Sequence, residues 1–159
     1  MNEKIINRKD IKKIVEKERL LGKTIVTTNG AFDLLHSGHI KSLNFAKTKG
    51  DILIVGLNSD MSIKKYKSEK RPILSQEERS FILSSISSVD YIVIFDEKNP
   101  IELLKDIKPD IHVKGSEYKN NIVEREIVEK FGGTINFMTR NPDDISTTKI
   151  IQKILRLNR

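Results

Sequence analysis

Apolar residues along this chain fall into two patterns that alternate with each other. Short continuous apolar runs predict buried strands, at residues 24–28, 51–57, 91–95, 111–113 and 134–138. Between them, apolar positions recur every three or four residues, which predicts helices. These helical stretches are residues 9–21, 40 onward, 75 onward, 100–107, 120–131 and 146 onward. Strands alternating with helices, with no hairpin signal, predict parallel pairing.

The expected fold is therefore an α/β, Rossmann-like, doubly wound domain with a five-stranded parallel sheet. We expect one domain over residues 1–159, in which residues 1–22 include an N-terminal packing helix. Neither Gly-x-Gly-x-x-Gly nor a Walker phosphate loop occurs in the sequence. A nucleotide site on this fold would need another phosphate-binding device.

Charge narrows the range of partners. The 159 residues carry a net charge of +7, which suits nucleic acid, an anionic membrane or small anions. Aromatic residues make up only 6%, and the lysines are spread along the chain. Small polyanionic substrates are thus expected, with no nucleic-acid or membrane partner. No cysteine and no apolar stretch of membrane-spanning length are present, so we expect a cytoplasmic protein.

Residues 29–39 join a predicted strand to a predicted helix and contain the first candidate site residues of the chain. His36 and His39 lie three apart, a spacing that can aim both imidazoles at one point. A helix N-terminus favours phosphate, and Gly38 allows close approach of a ligand. The pair could instead cap the helix or form half of a metal site. A protein-held metal is not expected, because there is no cysteine and His112 lies far along the chain.

Four further features are candidates for the site. Residues 146–148 are consecutive hydroxyl residues at a helix start, where Ser146 could simply be the N-cap. Residues 63–72 are strongly basic and form either a solvated loop or a cationic flap over phosphate. Arg79 follows a capping box and could be a surface arginine paired with a glutamate. Residues 113–118 follow a strand and could be an ordinary turn.

Several of these segments resemble one family. Residues 32–39, Phe-Asp-Leu-Leu-His-Ser-Gly-His, resemble the His-x-Gly-His signature of cytidylyltransferase-like nucleotidyltransferases. Residues 145–148, Ile-Ser-Thr-Thr, resemble the motif that ends the family's nucleotide site. Residues 28–30 resemble the branch that adenylates heptose 1-phosphate in lipopolysaccharide core synthesis. Residues 113–118 are similar to that branch's Val-Lys-Gly-Gly-Asp-Tyr segment, with Ser116 and Glu117 in place of Gly and Asp. The resemblance covers roughly residues 10–157.

The resemblance implies a nucleotidyltransferase that moves AMP from ATP to a sugar phosphate, D-glycero-D-manno-heptose 1-phosphate, and releases pyrophosphate. Alternatives on the same fold are glycerol-3-phosphate cytidylyltransferase and FMN adenylyltransferase. A non-catalytic nucleotide- or nucleic-acid-binding protein is the alternative of another class. The implied cofactor is Mg²⁺ held mainly by nucleotide phosphates, and a homodimer or higher homo-oligomer is expected.

Residues 71–72, Arg-Pro, and 78–79, Glu-Arg, resemble the family's second signature, in which an arginine and nearby main chain hold triphosphate. Together with the basic segment, the resemblance also implies site residues. The catalytic residues would be His36, His39, Arg79 and Lys114. The nucleotide-binding residues would be Asn29, Gly30, Phe32, Asp33, His36, Gly38, His39, Arg79, Ser146, Thr147 and Thr148. The residues for the acceptor would be Asp60, Lys64, Lys67, Arg71, Lys114 and Glu117.

Overall fold

The described strands form one parallel sheet with helices on both faces. The computed structural model describes residues 3–139, 141 and 144–158. The strands are β1 (Ile5–Ile6), β2 (Ile25–Gly30), β3 (Ile52–Asn58), β4 (Tyr91–Phe95), β5 (Ile111–Gly115) and β6 (Thr134–Met138). The helices are α1 (Ile11–Leu20), α2 (Ser37–Lys47), α3 (Asp60–Tyr66), α4 (Gln76–Ser84), α5 (Ile101–Ile107), α6 (Arg125–Lys130) and α7 (Thr147–Leu157). The predicted α/β class with a parallel sheet is confirmed.

Strand order places a crevice beside β2. The order across the sheet is β1-β4-β3-β2-β5-β6, so the chain runs outward from β2 and then returns to its other side. In such sheets ligands bind at the carboxyl ends of the strands where the winding reverses. β2 pairs with β3 from Ile25 to Gly30, but its register with β5 covers only Val26 and Thr27. The two strands therefore separate at their carboxyl ends, where the crevice opens.

Each face of the sheet has its own apolar core, which explains the continuous apolar runs. Val26 and Val55 pack with Leu43 of α2 and Leu83 of α4 on one face. On the other face, Ile25, Ile54 and Val93 pack with residues of α1 and α5 such as Ile11 and Leu103. Because helices cover both faces, successive residues are buried along all of β3 and over the first four residues of β2, whichever face they point to.

The sheet has six strands rather than the five predicted. The extra strand, β1, has only two residues and lies at the edge, where Ile5 and Ile6 align with Ile92 and Val93 of β4. A two-residue strand is too short to show any periodicity in the sequence. Within the described residues, no helix has the length and apolar character needed to cross a membrane.

Two helices also differ from expectation. α3 occupies the start of the basic segment 63–72, so Lys64 and Lys65 are helical. The Ser59 side chain accepts a hydrogen bond from the N–H of Ser62 and caps this helix, which the sequence did not indicate. α6 begins at Arg125, five residues later than predicted, because residues 119–124 form turns and irregular backbone instead of helix.

Candidate active site

The turn between β2 and α2 has an unusual backbone. Phe32 and Leu34 have φ angles of 48° and 50°, in the left-handed region that non-glycine residues rarely adopt. Gly38 follows in the first turn of α2, where an added Cβ would lie 3.0 Å from the His36 ring and 3.1 Å from the Ile145 carbonyl oxygen. A side chain at this position would therefore push apart the histidine and the segment before α7.

The two histidines cap α2. The Nδ1 atom of His36 accepts a hydrogen bond from the Gly38 N–H at 3.1 Å, and Nδ1 of His39 accepts from the His36 N–H at 3.4 Å. Their rings stack with centroids 3.8 Å apart. Because each Nδ1 acts as an acceptor, the proton of each neutral ring lies on Nε2. Both capping and a paired donor function are thus compatible with the same geometry.

Asp33 connects this turn to the basic segment. Its carboxylate, 3% exposed, accepts hydrogen bonds from the N–H groups of Ile73 and Leu74 and pairs with Arg71 at 2.9 Å. Burial alone would raise the pKa of Asp33. The two N–H groups and the Arg71 guanidinium outweigh burial and hold this pKa below its ordinary value. Arg71 and Asp33 therefore fasten the end of the segment to the β2–α2 turn.

The start of α7 meets the same turn. The Thr147 hydroxyl donates to the main-chain oxygen of Asp33 at 2.6 Å. Ser146 is the N-cap, since its hydroxyl accepts from the Lys149 N–H at 3.2 Å. The N-termini of α2 and α7 are consequently held side by side, and each directs main-chain N–H groups toward the crevice.

A cavity of about 500 Å³ occupies the crevice. Eleven residues predicted for the site line it: Asn29, Gly30, Phe32, Asp33, His36, His39, Lys67, Lys114, Ser146, Thr147 and Thr148. Asn29 has a buried Oδ1 with no hydrogen-bond partner among the described residues. An acceptor left without a partner in a polar cavity suits a ligand or an ordered water.

The other predicted residues lie around the cavity. Arg79 is buried beneath it and donates to the carbonyl oxygens of Ala31 and Asn58, at 2.6 and 2.8 Å. Asp60 accepts from the same guanidinium at 2.7 Å. Arg79 thus joins the carboxyl ends of β2 and β3 from below. Its direct contact with phosphate, like the predicted role of Asp60, stays a prediction.

Four more predicted residues also lie outside the cavity lining. Arg71 is held by Asp33, and Gly38 is buried in the first turn of α2. Lys64 is exposed on α3, and Glu117 is exposed in the turn after β5, with its carboxylate against Gly115. Their contacts with substrate remain predictions.

The β5 side of the cavity contains a buried ion pair. Lys114 Nζ lies 2.7 Å from Oε1 of Glu124, and the two side chains are 13% and 3% exposed. The same ammonium lies 5.0 Å from the centre of the Tyr118 ring. Behind it, His112 is fully buried, with Nδ1 2.7 Å from the Thr27 hydroxyl. Burial, and to a lesser extent the Lys114 charge, lowers the pKa of His112 to about 3, so this histidine is neutral.

The side formed by β3 and β4 is different. Lys67 and Lys98 reach the cavity there, beside Asn58 and Tyr66. Desolvation, with the nearby Arg71 charge, lowers the pKa of Lys67, and desolvation raises the pKa of Tyr66 to about 12. The phenol is therefore a neutral hydrogen-bonding group at pH 7.

Several lining residues were not among the predicted site residues: Asn58, Tyr66, Lys98, Asn99, Tyr118, Asn121 and Glu124. Those near residue 98 follow β4, and the carboxyl end of a parallel strand was a usable signal. Glu124 had none, because one glutamate among the charged residues of a predicted amphipathic helix looks like a solvated surface residue.

This geometry defines a class. A parallel sheet whose winding reverses at β2, with two helix N-termini facing a polar crevice there, is the architecture of a nucleotide-binding α/β protein. The sequence model of the cytidylyltransferase-like family matches residues 27–153. The chain belongs to that family.

Individual relatives agree with this assignment. The bifunctional protein HldE of Geobacter metallireducens is 47% identical over 154 residues, which cover 96% of this chain and 31% of that protein. HldE of Wolinella succinogenes is 45% identical, over 96% of this chain and 31% of its own length. The chain thus spans about a third of the length of these curated relatives.

Solved structures show the same architecture. The lipopolysaccharide core biosynthesis protein from Thermoplasma volcanium superposes with a TM-score of 0.63 at 28% identity, over 77% of this chain and all of that one. Pantoate–beta-alanine ligase from Francisella tularensis also gives 0.63, at 19% identity, over 98% of this chain and 79% of that one. At 19% identity the second comparison bears on the fold only.

Proposed function

We propose that this protein transfers AMP from ATP to a sugar phosphate, D-glycero-D-manno-heptose 1-phosphate, and releases pyrophosphate. The observation that carries the proposal is the stacked pair of His36 and His39 at the start of α2, inside the cavity. The HldE relatives and the lipopolysaccharide core protein support the heptose branch. So do residues 28–30 and 113–118, which resemble that branch.

The chemistry needs no protein nucleophile. A phosphate oxygen of the acceptor attacks the α-phosphorus of ATP and forms the new P–O bond. The bond from the α-phosphorus to the bridging oxygen of the β-phosphate breaks, and its electron pair leaves with pyrophosphate. Because both reactants are anions, the barrier is mainly electrostatic, and positioning with charge stabilisation should dominate.

In this proposal the histidines act on the developing charge. The Nε2–H groups of His36 and His39 would donate to triphosphate oxygens, and one such donor lowers a barrier by about 3 kcal/mol in comparable oxyanion sites. The hydroxyls of Thr147 and Thr148, at the start of α7, would bind the departing phosphates. Lys67 and Lys98 would balance charge from the β3–β4 side.

Arg79 fits a supporting role better than a direct contact. It holds the carbonyl oxygens of Ala31 and Asn58, which follow or end the two strands that position the crevice. We propose that it fixes the β2–α2 turn from below. Its buried charge is paired with Asp60 and bonded to carbonyl oxygens, as a buried guanidinium requires.

Mg²⁺ would accompany the triphosphate and neutralise part of its charge. Among the described residues, no group of three histidine, aspartate or glutamate side chains could hold a metal ion. We therefore propose that Mg²⁺ is held mainly by phosphate oxygens of the nucleotide and by water, as is usual for this ion.

Pyrophosphate release tests the proposal. We would assay ATP, CTP, GTP and UTP against heptose 1-phosphate, glycerol 3-phosphate and FMN, and identify the products by mass. The expected result is the highest kcat/KM for ATP with heptose 1-phosphate. Faster reaction of CTP with glycerol 3-phosphate would overturn the branch and leave nucleotidyl transfer intact. If no pair releases pyrophosphate, the proposal that this protein is a nucleotidyltransferase is wrong.

A further inference from the structure

The two sides of the cavity differ in charge. On the β3–β4 side, Lys67 and Lys98 line the wall. On the β5 side, the positive charge of Lys114 is balanced by Glu124, with Tyr118 and Asn121 beside the pair. The first side suits an anion. The second presents an adjacent cation and anion whose charges cancel.

The buried pair has hydrogen-bonding capacity left over. An ammonium carries three donors, of which one is directed at Glu124, and a carboxylate has about four acceptor positions. A sugar hydroxyl donates one hydrogen bond and accepts one, so it can bridge such a pair. A phosphate in the same place would meet the Glu124 carboxylate, and a like-charge contact in such a site is strongly unfavourable.

We infer that Glu124, through its pairing with Lys114, is a specificity-determining residue that selects a sugar hydroxyl and excludes phosphate from the β5 side of the cavity. The inference deepens the proposed function and rests on it. It replaces the role expected of Glu117, which is exposed outside the cavity, with a buried carboxylate seven positions further along the chain. The hydroxyl belongs either to the ribose of ATP or to the acceptor sugar.

A site that pairs a substrate hydroxyl should discriminate against the analogue that lacks it. The missing group leaves unsatisfied those donors of Lys114 and acceptors of Glu124 that do not serve their mutual pairing. Rejection of an analogue by a site built for a hydroxyl can reach several orders of magnitude. Glu124→Gln keeps the size of the side chain and removes its charge. The charge of Lys114 is then unbalanced and the amide oxygen is a weaker acceptor than the carboxylate, so the hydroxyl preference should weaken and the site should tolerate an anion.

The test compares matched pairs of substrates in matched variants. For the ribose, ATP is compared with 2′-deoxy-ATP and 3′-deoxy-ATP; for the acceptor, heptose 1-phosphate is compared with its 2-deoxy, 3-deoxy and 4-deoxy analogues. Glu126→Gln is the control, because Glu126 lies on α6 two residues away and is exposed. It makes the same change in charge outside the cavity.

We expect wild type and Glu126→Gln to prefer the hydroxylated substrate in one of the two series by at least about tenfold in kcat/KM. In Glu124→Gln that ratio should fall by at least about threefold, because a neutral amide oxygen accepts the hydrogen bond of the hydroxyl more weakly than a carboxylate does. The series that collapses identifies the source of the hydroxyl. Unchanged ratios in both series would overturn the inference.

Two additions separate this result from other failures. The Lys114→Met/Glu124→Gln double variant contains no buried charge at the pair and serves if Glu124→Gln does not fold; it too should lose discrimination. Dissociation constants for every substrate and analogue, measured by calorimetry, test the same ratios without turnover. If the wild type binds but releases no pyrophosphate, the proposed function fails while the selection of hydroxyls is still measured.

Discussion

His36 and His39 each combine a structural and a chemical task. Nδ1 of each ring accepts a main-chain N–H at the start of α2, which fixes the ring and places the proton on Nε2. The stacked rings, 3.8 Å apart, then present two donors to the same region. Replacing either histidine by alanine would remove both tasks at once, so a sharper substitution is needed.

Asparagine separates the two tasks. An asparagine at position 36 keeps a side-chain acceptor for the Gly38 N–H, as asparagine does at other N-caps, but lacks the Nε2 donor. We expect kcat to fall by at least about a hundredfold in His36→Asn, His36→Ala, His39→Asn and His39→Ala, the scale of a lost transition-state donor. Steady-state kinetics with thermal melting would measure this. Near-normal kcat in a folded asparagine variant would mean that the histidine only caps the helix.

The buried His112 predicts a pH dependence of stability. Its pKa is about 3 in the folded protein against an ordinary 6.5, so the unfolded chain takes up a proton that the folded chain does not. Folding stability should therefore decrease as pH falls below 6.5. Between pH 7 and pH 5 the loss from this group is about 2 kcal/mol. In His112→Gln, the free energy of unfolding measured with urea should fall by about 2 kcal/mol less between pH 7 and pH 5 than in wild type. An equal pH dependence in the two proteins would contradict this prediction.

At the scale of elements, the basic segment after α3 is attached at one end. The Asp33 carboxylate holds the N–H groups of Ile73 and Leu74 and the Arg71 guanidinium, while Lys67 reaches the cavity at the other end. The segment is therefore anchored to the β2–α2 turn and contributes Lys67 to the site. Whether it closes over nucleotide remains a prediction, and Asp33 is the residue through which to test it.

Asp33→Asn should loosen this segment. Loss of the charge-assisted hydrogen bonds should cost about 2 kcal/mol at pH 7. Since the folded-state pKa of Asp33 is depressed, its contribution is present above the ordinary value of 3.8 and is lost as pH falls through the folded-state pKa. The difference from wild type should then shrink in acid. In Asp33→Asn, we expect hydrogen exchange and proteolysis in residues 67–74 to be faster than in wild type. In wild type, ATP should slow both processes.

Asp51→Asn is the control, because Asp51 is exposed and also accepts a main-chain N–H, from Thr24 at 2.8 Å. It should leave exchange in residues 67–74 unchanged. Equal exchange in wild type and Asp33→Asn would mean that Asp33 does not order the segment.

The sequence revealed the elements whose physical signal is local. Continuous apolar runs predicted the five longer strands, since strands buried on both faces lack alternation. The His36–His39 spacing and the hydroxyl run at 146–148 marked the two helix starts that meet at the cavity. The two-residue β1 had no period to detect. The burial of Arg79 and Glu124 depends on tertiary contacts, to carbonyl oxygens of distant residues and to Lys114, that no local pattern encodes.

At the scale of the whole molecule, the net charge of +7 could serve to bind either a nucleic acid on the surface or a small anion in the cavity. Many basic side chains on the described surface are paired with acids, such as Lys41 with Asp144, Lys47 with Asp90 and Lys105 with Glu102. Lys67 and Lys98, by contrast, line the cavity. Such a distribution favours binding of a small anion in the crevice over a surface that follows a nucleic-acid backbone. Self-association stays a prediction, to be measured by light scattering.

The salt dependence of binding distinguishes a nucleic-acid surface from a small-anion site in the cavity. Binding to a 20-nucleotide RNA, measured by fluorescence anisotropy, should be non-specific, with Kd above about 1 μM at physiological salt, and should weaken steeply as salt rises. The KM for ATP should change by less than about threefold over 50–200 mM salt, because charges in a partly enclosed cavity are screened less than charges on an open surface. Lys67→Ala should raise the KM for ATP or for the acceptor and leave RNA binding nearly unchanged, whereas Lys105→Ala, on the exposed face of α5, should alter neither. A salt-resistant RNA complex with nanomolar Kd that ATP displaces would instead make the cavity part of a nucleic-acid site, and the charge would then belong to that partner.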